Sequence, residues 1–228
     1  LKAIHAAPFD NERADGPADV MERSHDEILR LLGMMGVRPD GLVFRGATGW
    51  LLDRDTPRPS EAVEHLIERA AAQPADRPLY VAAIGAITNV ASALLTEPGL
   101  VEKIVVVWLG GHAHHWPDAR EFNLRQDIPA ARVVFDSGVP LVHFPCAGCV
   151  DRLHTTVAEL DHCIGGTTDI ADYLLGIVRD FNTDRRFAWS KVIWDVVTTA
   201  WLIDPGSSAS HLVAAPLVDR KSTRLNSS

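Results

Sequence analysis

Three short apolar runs, Leu79 to Ile84, Ile104 to Leu109 and Pro140 to Phe144, constrain this chain more than any other feature of it. Each is partly β-branched and bounded by Gly or Pro, the pattern of a strand buried on both faces. Helical stretches lie between them, Asn89 to Leu95 and Ile128 to Ser137; the second is opened by Asp127, carries Pro129 in its first turn and is closed by Gly138. Strands alternating with helices imply right-handed βαβ units, so the expected fold class is α/β: an open, mostly parallel sheet flanked by helices. The same plan takes in a strand at Leu1 to Ile4, a helix near Asp19 to Met35 with capping-box spacing from Ser24 to Glu27, and a strand at Leu42 to Phe44. It continues with helices at Glu61 to Ala72, Asp169 to Asn182 and Trp194 to Ile203.

At 228 residues the chain suits one domain, expected over residues 1–220, followed by a polar, aperiodic tail, KSTRLNSS, at 221–228. Leu1 falls inside an apolar run with no preceding cap, so the domain is expected to be incomplete at both ends. The 46% hydrophobic and 23% charged content is that of a globular protein. No apolar run approaches the roughly 18 residues that would span a bilayer, which excludes a membrane partner. With 22 basic and 30 acidic residues the net charge is −8, and no basic stripe offers itself to a phosphate backbone, which argues against nucleic acid. Three cysteines, two of them in Cys146-Ala147-Gly148-Cys149, argue against a secreted disulfide framework and for a reducing, cytoplasmic setting.

In an open parallel sheet, ligands bind outside the carboxyl ends of the strands, so the residues just after each strand are the informative ones. Gly85-Ala86-Ile87-Thr88-Asn89 follows the first of the three runs; Gly110-Gly111 and then Glu121-Phe122-Asn123 follow the second. Pro8, Phe9 and Asn11 follow the first strand, and Trp194-Asp195 precedes the last helix. Each has an ordinary reading as well: Thr88 and Asp195 as helix caps, Gly110 and Gly111 as turn residues, Glu121 as a solvated loop acid.

Taken together these residues match a family. The segment AIGAITNVASALLTEPGLVEKIVVVWLGGHAHHWPDAREFNLRQDIPAARVVFDSGVPL resembles the centre of the inosine/uridine-preferring nucleoside hydrolases in order and spacing, and KVIWDVVTTAWLIDP resembles the start of that family's metal-binding, base-facing helix. The most specific element is EFN followed by a helix of the form DxxAAxxVFxSG. The resemblance implies a Rossmann-like sheet, a small-molecule ribonucleoside as substrate, a homo-oligomer, and hydrolysis of the N-glycosidic bond by a calcium-activated water. It implies that Glu121 and Asn123 hydrogen-bond the ribose hydroxyls, where contacts that strengthen as an oxocarbenium-like sugar develops lower the barrier. It further implies Thr88 as a main-chain carbonyl ligand of Ca2+, Asp195 as the late calcium aspartate, and Asn11 as a ribose-contacting asparagine.

The chain departs from the family pattern in two places. The Asp-x-Asp-x-x-x-Asp-Asp cluster that holds calcium in the family is absent from this sequence, and its expected place lies before Leu1, so no catalytic aspartate is identified. Trp194 stands where many members have a histidine, which implies stacking on the base; alternatively Trp194, Val197 and Trp201 form one helical core stripe. Two readings from other classes stand beside the hydrolase. One is a ribonucleoside-binding pseudoenzyme; the other is a thiol or zinc protein built on Cys146, Cys149 and the histidines at 112, 114, 115 and 154, although a structural zinc site wants four ligands and Cys163 is the only further thiol.

Overall fold

The computed structural model describes residues 1–11, 15–74, 76–181 and 189–218, and the backbone of 225–226. In chain order the elements are β1 (Ile4–His5), α1 (Pro17–Met34), β2 (Val43–Phe44), α2 (Glu61–Ala71), β3 (Leu79–Ala83), α3 (Thr88–Thr96), β4 (Ile104–Leu109), α4 (Phe122–Gln126), α5 (Ile128–Asp136) and β5 (Leu141–Phe144). There follow β6 (His154–Thr155), α6 (Val157–Ile164), α7 (Asp169–Phe181), β7 (Lys191–Val192), α8 (Val196–Ile203), β8 (Leu217–Val218) and β9 (Leu225–Asn226). Asn182, the expected last residue of a helix, and residues 221–224 and 227–228 of the expected tail lie outside the described residues.

The three apolar runs form one parallel sheet in the order β3-β4-β5, with Val81 opposite Val106 and Val107 opposite Val142. β4 is its centre, and the period of two is visible in what each side chain meets. Ile104, Val106 and Trp108 point into a core shared with α2, α3 and α5, whereas Val107 and Leu109 point to the other face, against Phe144, Val150 and Val197 of α8. The sequence chose β-branched residues here because both faces are covered. Trp108 is fully buried and its indole N–H donates to the Gly85 carbonyl at 3.1 Å, which satisfies the only polar atom of the ring.

β1 and β2 pair in parallel as a separate sheet, Ile4 opposite Val43, and a cleft runs between β1 and β3. Asn89, one residue into α3, joins the two sheets. Its Nδ2 donates to the Ala6 carbonyl at 2.8 Å and its Oδ1 accepts from the Ala47 amide at 2.9 Å. Gly46 lies in the same junction, where a Cβ would stand 2.0 Å from the Ala6 oxygen and 2.7 Å from Asn89 Nδ2, so no other residue fits. β6 with β7 and β8 with β9 form two short antiparallel pairs.

Several sequence expectations move. The first strand is at Ile4–His5 rather than Leu1 to Ile4. The Ser24 to Glu27 spacing lies inside α1, which starts earlier at Pro17 with Asp19 in its first turn; the Glu27 carboxylate accepts instead from the Tyr173 hydroxyl on α7 at 2.7 Å. Proline at the first helical position already sets the backbone for the helix there, so no capping box is needed. Thr88 is the first residue of α3 and caps nothing; its hydroxyl donates to Asp127 at 2.7 Å.

Replacing Asn89 by Ala removes both bonds and leaves the Ala6 carbonyl and Ala47 amide buried without partners. The expected cost is about 2–4 kcal/mol in denaturant unfolding; a change near zero would mean that the two sheets are joined by something else. Burial holds His5 down at about 4, with His65 adding to the effect, and holds the half-buried His143 at about 4; burial also lowers His65. A histidine whose folded pKa lies below its unfolded value of about 6.5 binds its proton more readily unfolded, so this stability is whole above pH 6.5 and is lost as pH falls toward 4. Denaturation midpoints measured from pH 7.5 down to 5.5 should therefore fall, the three histidines outweighing the opposite contribution of Asp195 described below; a flat or rising profile would contradict this.

Candidate functional site

The cleft has a volume of about 1830 Å³ and opens at the carboxyl ends of β1, β3 and β4. That exceeds the few hundred to about 1,000 Å³ of an ordinary ligand pocket because it continues as a groove between β1 and β3. Glu121, Asn123, Trp194 and Asp195 all line it.

Glu121 is the cap residue of α4, and the expectation of a solvated loop acid fails: it is 8% exposed. Its Oε2 accepts from the Gly111 amide at 2.7 Å and the Leu124 amide at 3.0 Å, and its Oε1 from the Asn123 amide at 2.9 Å. Three backbone N–H groups thus hold a buried carboxylate in one orientation at the carboxyl end of β4, which compensates the loss of water around the charge. A carboxylate has about four lone-pair directions, so one remains. The Cys146 thiol, just beyond β5, lies in hydrogen-bond reach of it. A thiol is a weak donor that a ligand hydroxyl can displace.

Asn123 points its Nδ2 at the carbonyls of Leu109, at 2.9 Å, and Ile84, at 3.4 Å, the last residue of β4 and the residue after β3. With both amide hydrogens committed, what it has left for a ligand is an acceptor oxygen. Glu121 and Asn123 together therefore offer acceptors, the complement of a sugar diol.

Asp195 occupies the cap position of α8 but makes no side-chain cap bond, which leaves its carboxylate free for the cleft. Although open to solvent along one edge, the carboxyl is crowded by protein on its other sides. That desolvation, with the negative charge of Glu121 adding and Lys191 opposing, pushes its pKa up to about 6. Trp194 is 36% exposed and lines the cleft, while Val197 and Trp201 behind it belong to the core, so the expected stripe divides between the two.

Two expected site residues stand elsewhere. Asn11 is exposed and outside the lining, which takes Pro8 and Phe9 from that loop. Thr88 is fully buried, outside the lining, and its carbonyl lies in the first turn of α3; the carbonyl at that strand end which does face the cleft region is that of Ile84. Cys146 and His112, which the sequence offered only as members of a thiol or zinc site, both stand in the lining. The signal was available, because Cys146 follows β5 by two residues and falls under the same strand-end rule as Glu121. The His112 Nδ1 accepts from the Ala147 amide at 3.1 Å, holding the 146–149 loop to the loop after β4. Burial first, then the Glu121 carboxylate, pushes the Cys146 thiol far up, so it is a protonated packing group rather than a nucleophile.

Calcium takes about six to eight oxygens. Among the described residues no group of three or more His, Cys, Asp or Glu side chains is arranged to hold a metal ion. Asp195 is a suitable carboxylate, but the described residues do not complete a calcium shell around it, and the thiols and histidines do not form a zinc cage either.

The architecture is that of an α/β protein with its site outside the carboxyl ends of a parallel sheet. The sequence profile of the inosine-uridine preferring nucleoside hydrolases matches residues 14–224, and the chain belongs to that family. It is 31% identical over 158 residues to the pyrimidine-specific ribonucleoside hydrolase RihA of Citrobacter koseri, covering 65% of this chain and 49% of the relative, and 32% identical over 139 residues to RihA of Escherichia coli O1:K1, covering 57% and 44%. The chain thus spans about half the length of the curated relatives it matches. Among solved structures, the purine-preferring ribonucleoside hydrolase from Gardnerella vaginalis superposes with a TM-score of 0.69 at 20% identity, over 90% of this chain and 75% of that one. An inosine-guanosine nucleoside hydrolase gives 0.67 at 21%, over 90% and 74%. At such identities these two show a shared fold. No helix among the described residues is long and apolar enough to cross a membrane.

Because its folded pKa lies above the unfolded value, Asp195 favours folding only while protonated: its contribution is full below about pH 3.8 and is lost as pH rises through 6. Asp195→Asn is therefore expected to raise the melting temperature at pH 7.5 and to leave it unchanged at pH 4. Equal melting at pH 7.5 would mean that the carboxylate is not held under strain.

Proposed function

We propose that the protein hydrolyses the N-glycosidic bond of ribonucleosides, with the sugar seated at the carboxyl ends of β3 and β4. The observation that carries this reading is the buried Glu121 carboxylate, fixed by three main-chain amides beside the Asn123 carbonyl oxygen and facing Asp195. In this reading the vicinal hydroxyls of ribose donate to Glu121 and Asn123. The two acceptors are held before the substrate arrives, so they stabilise positive charge as it builds on the sugar without reorganising. Asp195, charged at neutral pH but close to its pKa, accepts a hydroxyl proton or takes one from an attacking water, a task that a carboxylate tuned toward 7 performs well. Trp194 supplies an aromatic face for the departing base. The calcium ion implied by the resemblance would polarise sugar hydroxyls and acidify water. Asp195 is the residue here that would hold it, and no step above runs through it.

A second reading has its own observation. In it the chain binds the ribonucleoside without cleaving it, since Glu121 and Asn123 suffice to hold a sugar diol whatever else the site contains.

Base release from inosine and from uridine separates the two. The hydrolase reading expects release that falls about 30- to 150-fold in kcat/KM in Glu121→Gln, the equivalent of roughly 2–3 kcal/mol of lost transition-state contact, in a variant that still melts cooperatively. Ligand binding with no base released by the wild type would establish the binding reading, and an undiminished Glu121→Gln would remove the sugar-reading role.

A further inference from the structure

The groups that Glu121, Asn123 and Asp195 have left for a ligand are all acceptors. Breaking a C–N glycosidic bond leaves the bonding electron pair on the base, so a site that holds the sugar this way also needs a donor for the base. The cations of the lining are poorly suited. Arg120 is neutralised by Asp118, its Nε at 2.7 Å from that carboxylate. Arg125 is exposed beside the Phe122 ring, and Lys191 packs over the Phe181 ring at 4.1 Å. His112 differs from them: it lines the cleft, is half-buried and is held by the backbone.

Its mount is a short ladder between two strand-end loops. Gly111 has a φ of 69°, a left-handed turn that glycine adopts without strain. Its amide donates to Glu121 and its carbonyl accepts from the Cys146 amide at 2.9 Å, while the Ala113 amide donates to the Ala147 carbonyl at 3.0 Å. Between these two backbone bonds the His112 Nδ1 accepts from the Ala147 amide at 3.1 Å. An amide N–H can only donate, so Nδ1 is bare and the proton of the neutral ring sits on Nε2. Trp116 lies against the same ring, with centroids 6.3 Å apart. The tautomer is thereby chosen before any ligand arrives, and what His112 can present to the cleft is an N–H donor.

We propose that His112 is the group that meets the departing base, its Nε2–H donating to a ring nitrogen of a purine or the 2-carbonyl of a pyrimidine. This rests on the hydrolase reading and adds to it the residue that stabilises the leaving group. As the C1′–N bond breaks, its electron pair passes to the base; the water oxygen bonds to C1′, and Asp195 takes a proton from that water and returns it to solvent. The base draws its own proton from solvent. His112 keeps the one it has, because a neutral imidazole near pH 7 polarises its partner as a hydrogen-bond donor and does not act as an acid. Held in place beforehand, such a donor counts most where charge develops, in the transition state. Trp194 and His112 thus serve different parts of the base, its face and its edge.

Imidazole nitrogen-15 NMR of the protein with inosine, uridine and ribose in turn tests the contact whether or not cleavage follows, since a released base keeps the same acceptor edge. The His112 Nε2–H signal is expected to move downfield with a nucleoside and to stay in place with ribose. His112→Asn keeps the tie to Ala147 through its side-chain oxygen but has no donor where Nε2 stood. It is expected to bind ribose as the wild type does and the nucleoside roughly fivefold more weakly, the worth of one neutral hydrogen bond. In turnover its kcat on the nucleoside should fall about 10- to 100-fold, and on 4-nitrophenyl riboside, whose leaving group departs without help, by less than about threefold. An Nε2–H signal that no nucleoside moves, or equal losses on the two kinds of substrate, would overturn the role of His112 while leaving the ribonucleoside reading standing. Failure of nucleosides and ribose alike to bind would remove that reading, and this proposal with it.

Discussion

The five-residue helix α4 is held between two acids, and the site depends on that bracket. At its far end Asp127 caps α5 through the Ala130 amide and also accepts from the Leu51 amide and the Thr88 hydroxyl, so one buried carboxylate ties a loop, α3 and α5 together. At its near end Glu121 is bound to Gly111 beyond β4. A helix this short has little stability of its own, so its position comes from these capping carboxylates. Asn123 inherits its placement from the same bracket, as does Gln126, whose side-chain amide exchanges two hydrogen bonds with the Asp10 backbone in the loop after β1.

The electrostatics of the site run against the stability of the fold. Burial raises Asp127, and burial with the charge of Glu121 raises Asp195 to about 6. Asp127 has three hydrogen-bond donors that offset the burial, whereas Asp195 has no cap bond and faces another carboxylate. A carboxylate kept charged and under-compensated in a cleft is poised for a ligand that brings hydroxyls or positive charge. Glu121 and Asp195 thus divide the labour: one is fixed by the backbone, the other is left free to change its proton.

Much of this was legible in the sequence. The βαβ order and the parallel sheet followed from three apolar runs and the caps between them, because burial on both faces writes a continuous apolar pattern. Glu121, Asn123, Trp194 and Asp195, singled out by the strand-end rule, line the cleft. Thr88 and Asn11, singled out with them, lie outside that lining, because a motif shows which residues are adjacent in sequence but not which way each faces: of the adjacent pair Thr88 and Asn89, one packs on Asp127 and the other bridges the two sheets. The buried state of Glu121 was equally hidden, since it depends on an amide ten residues away in Gly111. Cys146 was read as half of a thiol pair, and only the fold brings it beside Glu121.

The central claim is that the loop Glu121 to Asn123 reads a cis-diol. Saturation-transfer NMR of the protein with ribose and with 2-deoxyribose addresses it directly, since the two sugars differ by the one hydroxyl that completes the diol. The account predicts clear transfer to ribose, and at least a tenfold weaker affinity for 2-deoxyribose, the loss of about 1.4 kcal/mol that one charge-assisted hydrogen bond carries at a minimum. Equal binding of the two sugars, or transfer to neither, would contradict it.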